Sequence, residues 1–258
     1  MPAPHWFKRV AKPIADQVVY ASSAYVDLKS TMNEMSATLV RFDHEPQGEA
    51  DRQLLRAAQF VQPQTSDGLD LVRVGSPSDG GYVMADDFKV IGAISIGVGP
   101  DVSWDQDVAS RGISVAMFDP TVRRPPGVVA NSTFFRIGIS GRPISRQYRT
   151  LDGLISLSGF SAESDLLLKM DVEGAEWESL DETESRTLSR FRQIVLELHG
   201  MEELKDRGEQ SKILPVLSKI NETHVPVHAH ANNFGQLTKF DSYWFPSALE
   251  VSLIRRDL

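Results

Sequence analysis

The sequence predicts an α/β protein built on a Rossmann-like sheet of seven strands, mostly parallel with an antiparallel last strand, behind an N-terminal helical arm. Three observations predict it. From residue 72 apolar runs alternate with helical stretches. Several of these runs are apolar nearly throughout, as strands buried on both faces of a parallel sheet must be. The last two runs are joined with no helical stretch between them, as an antiparallel pair allows.

The arm comes first. From Pro13 apolar residues fall at Ile14, Val18, Ala21, Tyr25, Leu28, Met32, Met35 and Leu39, in alternating steps of four and three. That is a heptad seam, and Pro13 suits the first turn of a helix. Val19 and Val26 widen the stripe. Three partners stay open for it: the chain's own domain, a second copy through the 13–40 helix, or a membrane surface beside Trp6, Phe7, Lys8 and Arg9. A second helix is expected over 48–61. The chain therefore divides into an arm (1–62) and a catalytic-sized domain (63–258).

The strand candidates of the domain are 93–99, 113–119, 133–140, 165–172, 192–199, 225–231 and 248–256. Ser103-Trp104-Asp105-Gln106 reads as a capping box opening a helix that Gly112 closes. Further helices are expected after Gly174 and around 202–220. The link at 120–132 is polar and proline-containing, without helical pattern.

Composition excludes several functions. The 258 residues carry 27 Lys plus Arg against 35 Asp plus Glu, for a net charge of −8. The acidity lies in the domain, so the footprint of a nucleic-acid binder is missing. There is no cysteine. Disulfides, thiolate metal sites and a cysteine nucleophile are therefore excluded. No apolar run reaches the roughly 18 residues of a membrane span. The N-terminus has no uninterrupted apolar core and no small-residue cleavage site, so a cytoplasmic location is expected.

Chemistry in an open α/β sheet collects beyond the carboxyl ends of the strands. The first of the seven ends in Ile96-Gly97-Val98-Gly99-Pro100-Asp101, where two glycines let the backbone pass close to a ligand. The second ends in Phe118-Asp119-Pro120. Asp119 follows the glycines by about 20 residues, where an acid can accept both ribose hydroxyls. The fourth runs into Lys169, Asp171, Glu173 and Glu176, a crowd of charge at the end of a buried strand. Glu197 and His199 share one side of the fifth, and His228 and His230 one side of the sixth. Asp171, Glu197, His199 and His230 are thus placed to converge over the sheet.

KMDVEGAEW at 169–177 resembles the KxDVEGAE signature of the FkbM-type methyltransferases. FDP (118–120), LDGLI (151–155) and VLELHG (195–200) are similar to that family as well. RVGSPSDGGYVMADDF (73–88), SIGVGPDVSWDQDVA (95–109) and the ending ALEVSLIRRDL resemble related members. The likeness spans roughly 72–258, in order, and leaves 1–60 uncovered. The glycine loop departs from the more usual DxGANxG form.

The resemblance implies a class I methyltransferase sheet, S-adenosylmethionine as cofactor, and methyl transfer to an oxygen of a small-molecule or glycan hydroxyl acceptor. Gly97 and Gly99 would then approach the methionine portion and Asp119 the ribose, with Asp101, Ser103 and Asp171 near the same cavity and Gly81 and Tyr82 closing over it. An alcohol acceptor benefits from a base or a metal. His199 is the first choice for the base and His230 the second, with Glu197 beside them. Asp171 with Glu197 offers hard oxygen ligands for magnesium, although Leu198 separates Glu197 from a second acid. Two other readings remain: a nicotinamide-dependent oxidoreductase, which the missing third glycine disfavours, and an inactive methyltransferase-fold scaffold.

Overall fold

The computed structural model describes residues 45–64, 68–77, 80–205, 210–232 and 235–258. The heptad stripe at 13–40, with the oligomer expected of it, lies outside these residues. Along the chain come α1 (Glu49–Val61), β1 (Leu71–Val74), β2 (Tyr82–Ala85), β3 (Gly92–Ile96), α2 (Ser103–Ser110), β4 (Ser114–Phe118), β5 (Ser132–Phe135), β6 (Gly138–Ile139), β7 (Tyr148–Arg149) and α3 (Leu151–Ser158). There follow β8 (Leu166–Met170), α4 (Glu176–Glu182), α5 (Ser185–Leu188), β9 (Phe191–Leu198), a 3-10 turn (Met201–Lys205), α6 (Gln210–Thr223), β10 (His224–Ala231), β11 (Leu237–Lys239), β12 (Trp244–Pro246) and β13 (Leu249–Arg255). No described helix is long and apolar enough to cross a membrane.

All seven expected strands enter one sheet, in the order β10-β13-β9-β8-β3-β4-β5. β13 runs antiparallel to both its neighbours, β9 and β10. The antiparallel strand is thus the last in sequence but lies inside the sheet. From β9 to β5 the pairing is parallel. The direction of winding reverses at β3, between β4 on one side and β8 on the other, and a ligand crevice belongs at that reversal.

Side-chain alternation explains the apolar runs. Ile94, Ile96, Leu166, Leu168, Ile194 and Leu196 face one layer, where they meet α1, α3, α4 and α6 through Leu54, Leu154, Leu180 and Val216. Ala93, Val115, Met117, Leu167 and Val195 face the other, covered by α2 and the β1–β2 hairpin through Trp104, Val108, Val74 and Met84. Both faces are buried, so neither could carry a polar alternation.

α1 belongs to the first layer although it precedes the division expected at residue 62. Leu54, Ala57 and Val61 are buried in the main core. The buried Asp51 carboxylate accepts the backbone N–H of Ser242 at 2.9 and 3.1 Å and of Gln47 at 2.9 Å. Asn221 of α6 donates to the Phe60 carbonyl at 2.9 Å.

Two local expectations are corrected. The run at 133–140 is not one strand: β5 stops at Phe135, and Gly138–Ile139 pairs with β7. Gly138 packs so closely that a Cβ there would stand 2.7 Å from the Tyr148 ring and 2.9 Å from Pro120. The capping box at 103–106 does not form. Ser103 turns its hydroxyl to the Ser76 N–H at 2.8 Å, and Asp101 accepts the Ser103 N–H at 2.6 Å instead.

Where β3 leaves the sheet, Gly97 takes φ +82°, and a Cβ on it would lie 1.6 Å from the Asp171 carbonyl oxygen. Any side chain would therefore push β3 and β8 apart at their ends. Gly99 also has positive φ (+56°), but nothing lies within 4 Å of an added Cβ. Gly97→Ala should accordingly destabilise the fold by more than about 2 kcal/mol, and Gly99→Ala by only about 1 kcal/mol, in urea unfolding. Equal losses would contradict the close approach.

His224 is fully buried and neutral. It donates from Nε2 to the Phe191 carbonyl (2.9 Å) and accepts the Thr223 hydroxyl at Nδ1 (2.8 Å). Burial pushes its pKa down from 6.5 to about 4, and burial, with help from His230, does the same to His228. A depressed folded pKa contributes stability that is present above the unfolded value and lost as pH falls. Stability should therefore drop between pH 6.5 and 4, by about 3 kcal/mol for each of the two histidines. His224→Gln should remove about half of that slope in urea titrations.

Candidate active site

The crevice is built on the loop after β3. Its backbone amides are already engaged. Val98 and Gly99 both donate their N–H to Asp119 Oδ2 at 3.0 Å. The other oxygen, Oδ1, takes the Thr121 N–H at 2.7 Å and the Thr121 hydroxyl at 2.6 Å. Burial works to raise the Asp119 pKa, but these hydrogen bonds outweigh it and hold the group below its usual range. A carboxylate has about four lone-pair directions, and these donors, with the Val122 N–H at 3.4 Å from Oδ1, fill them. Asp119 thus fastens the glycine loop to the end of β4.

Next to it, the turn between β1 and β2 docks on the start of α2. Gly75 donates to Asp107 Oδ2 at 2.8 Å, and Ser76 to the Ser103 hydroxyl. A Cβ on Gly80 would meet the Asp101 carboxylate carbon at 2.9 Å, and one on Gly81 the Ser76 carbonyl at 1.8 Å. Gly81, Asp101 and Ser103 therefore do gather in one place, through a tight turn.

Beyond β8 and β9 lies a second group. Lys169 is buried on the hairpin side of the sheet and donates to the Gly97 carbonyl at 2.7 Å. Its Nζ stands 3.9 Å from Asp171 Oδ2 and 5.7 Å from the centre of the Tyr82 ring. The Tyr82 hydroxyl reaches Asp171 at 3.3 Å and Glu197 at 3.4 Å. Asn232 donates to Glu197 at 2.6 Å. His199 places Nδ1 2.6 Å from Glu176 Oε1. Its Nε2 faces Glu197 at 3.4 Å, Glu173 at 3.6 Å and Asp171 at 3.9 Å. Trp177 fixes the backbone beneath by donating Nε1 to the His199 carbonyl at 2.7 Å.

These neighbours set the charges. Burial pushes Asp171 up to about 6, although Lys169 and His199 oppose it. Burial, then the charges of Asp171 and Glu197, put the Tyr82 phenol well above its ordinary value. For His199 burial works downward, but Glu176, hydrogen-bonded to the ring, and the nearby charge of Glu197 overcome it and push the imidazole up to about 11. With no cation bound to Nε2, the ring is then an imidazolium at neutral pH and has no lone pair to receive a proton. Asp171, whose pKa lies near neutrality, is the better proton acceptor in this arrangement.

His199, Glu197 and Asp171 are therefore brought together as expected, and Tyr82 joins them. His230 is not among them. It faces Glu250 across the β10–β13 ladder, and Glu250 faces Glu197, so His230 stands two strands away, about 10 Å. Its ring stacks on His228 at 6.3 Å. Glu176, Lys169 and Asn232 are the partners that sequence reasoning did not assign. The first two sit in the KMDVEGAEW motif, but only packing shows that Glu176 turns inward to His199 while Glu173 stays exposed.

Beside His199 a cavity of about 390 Å³ opens between α4 and the 3-10 turn. Glu178, Glu203 and Lys212 make its wall polar.

Comparison with known proteins agrees with the sheet, the crevice and the motif. The family model described as the methyltransferase FkbM domain matches residues 95–230, from the glycine loop to His230. No curated protein matches the chain. The match covers more than half of the sequence and contains the glycine loop, Asp119, Lys169, Asp171, Glu173, Glu176, Glu197 and His199, so the chain belongs to the FkbM methyltransferase domain family.

Proposed function

We propose that the protein transfers the methyl group of S-adenosylmethionine to a hydroxyl of a sugar or other small metabolite. One observation supports the reading: the ends of β8 and β9, beside the crevice, carry a surplus of negative charge that suits a cation. Four carboxylates (Asp171, Glu173, Glu176 and Glu197) surround two cationic groups, Lys169 and His199. A sulfonium is attracted to such a surplus. A dinucleotide's pyrophosphate is repelled, and the amides it would need are taken by Asp119 and Asp101. This weighs against the nicotinamide-dependent alternative.

The residues fit the cofactor in two further respects. Gly99 leaves open space where a side chain would stand, so the loop can lie against a ligand. Asp119 holds that loop in shape, and a ribose would approach a carboxylate already saturated by backbone donors. Asp119 then acts by positioning the loop, with any ribose contact made by exchange of one of those bonds.

The cofactor supplies an activated methyl group; the chain aligns an in-line displacement and receives the acceptor's proton. Asp171 takes the hydroxyl proton, Tyr82 and Lys169 hold its carboxylate in place, and the His199 imidazolium offsets the negative charge that develops on the acceptor oxygen.

S-adenosylhomocysteine should bind the full chain in calorimetry, and NAD should not. Asp119→Ala should weaken that binding at least tenfold. His199→Ala should leave it within about twofold and lower turnover on hydroxyl acceptors by about 100-fold or more. Binding of NAD in place of S-adenosylhomocysteine, or the opposite pattern in the two variants, would overturn the reading.

A further inference from the structure

Four carboxylates, one imidazole and one ammonium meet at the ends of β8 and β9. The charges of this group do not balance. Its most buried member is Glu176, which is 0% exposed. One of its oxygens engages His199 Nδ1, and the other has no hydrogen-bond partner. A buried carboxylate is costly to leave so poorly compensated.

The contacts around the other ring nitrogen are longer than direct hydrogen bonds. Nε2 faces oxygens of Glu197, Glu173 and Asp171 at 3.4, 3.6 and 3.9 Å. Each exceeds the usual N–H···O range of 2.7–3.2 Å. They are close instead to the spacing of ligand atoms arranged around a common centre, about 3.4 Å for a tetrahedron with bonds near 2.1 Å. One ligand atom each from Asp171, Glu173 and His199 lies within 4.8 Å of the others. Glu176 completes a recurrent pattern, because a metal-binding imidazole commonly donates its second N–H to a carboxylate that orients it.

We propose that Asp171, Glu173 and His199 Nε2 bind a divalent first-row cation that displaces the Nε2 proton to solvent, with Glu176 orienting the imidazole and Glu197 facing the same centre. The site differs from the Asp171–Glu197 magnesium pair expected from sequence. Glu197 is held by Asn232 and Tyr82, and an imidazole has entered the donor set. Mixed imidazole and carboxylate donors favour Mn²⁺ or Zn²⁺ over Mg²⁺ or Ca²⁺. The inference shares its site with the methyl-transfer reading: the cation would take over from the His199 imidazolium the positive charge that faces the acceptor oxygen, and would lower the pKa of its hydroxyl.

Titration of the full chain with Mn²⁺, followed by the electron paramagnetic resonance signal of the free ion, tests it. One ion should bind per chain, Zn²⁺ should displace it, and equimolar Mg²⁺ should not. Glu173→Gln should weaken binding about tenfold; this side chain is 87% exposed, so the variant leaves the core untouched. Glu176→Gln should also weaken it about tenfold through the imidazole alone. His199→Gln should abolish saturable binding.

Absence of saturable Mn²⁺ and Zn²⁺ binding by the unaltered chain would overturn the proposal. So would binding that Glu173→Gln and His199→Gln leave unchanged, which would place the ion elsewhere. Calorimetry with S-adenosylhomocysteine on the same samples separates the two readings. Cofactor binding without metal removes the cation site alone, and metal binding without cofactor removes methyl transfer alone.

Discussion

The hydrogen bond between His199 Nδ1 and the fully buried Glu176 joins the end of β9 to the first turn of α4. Breaking a buried charged pair of this kind costs about 3–5 kcal/mol, because the remaining charge stays behind unpaired. Glu176 is therefore committed to His199, and His199 is held with Nε2 toward Asp171, Glu173 and Glu197. Trp177, the next residue, holds the His199 carbonyl from the same helix turn. The orientation of the whole acidic group follows from that one short stretch of α4.

On the other side of the reversal, acids do different work. Asp119 and Asp101 spend their lone pairs on backbone N–H groups and shape the loop and the start of α2. Between the two regions Lys169 reaches the Gly97 carbonyl, so the glycine loop and the acidic group are mechanically joined. The crevice thus has a rigid rim whose donors are used internally and a floor with surplus negative charge. That combination separates it from nucleotide cradles of similar topology, in which free amides face an anion.

The strands were legible because burial on both faces leaves uninterrupted apolar runs, and all seven entered the sheet. The β1–β2 and β11–β12 hairpins were not. Their strands are only four and three residues long, too short for alternation to stand out. The capping box failed for a related reason: Ser103 had a distant competitor, the Ser76 N–H, invisible to a local pattern. Among the site residues, parity along β9 correctly placed Glu197 with His199. Parity along β10 could not reveal that β13 would insert and carry His230 two strands away.

By itself the sequence determined the α/β class, the seven strands, the glycine loop and the charged ending of β8, since these depend on periodicity and on residues adjacent in the chain. The tertiary structure alone decided which acid does what. Asp119 became the anchor of the glycine loop, Glu176 turned inward while Glu173 stayed outside, and His199 became a cation. Ionisation and orientation depend on distances of a few ångströms between residues far apart in the chain, and on the exclusion of water around them. No spacing within the sequence encodes those distances; the closing of the sheet does.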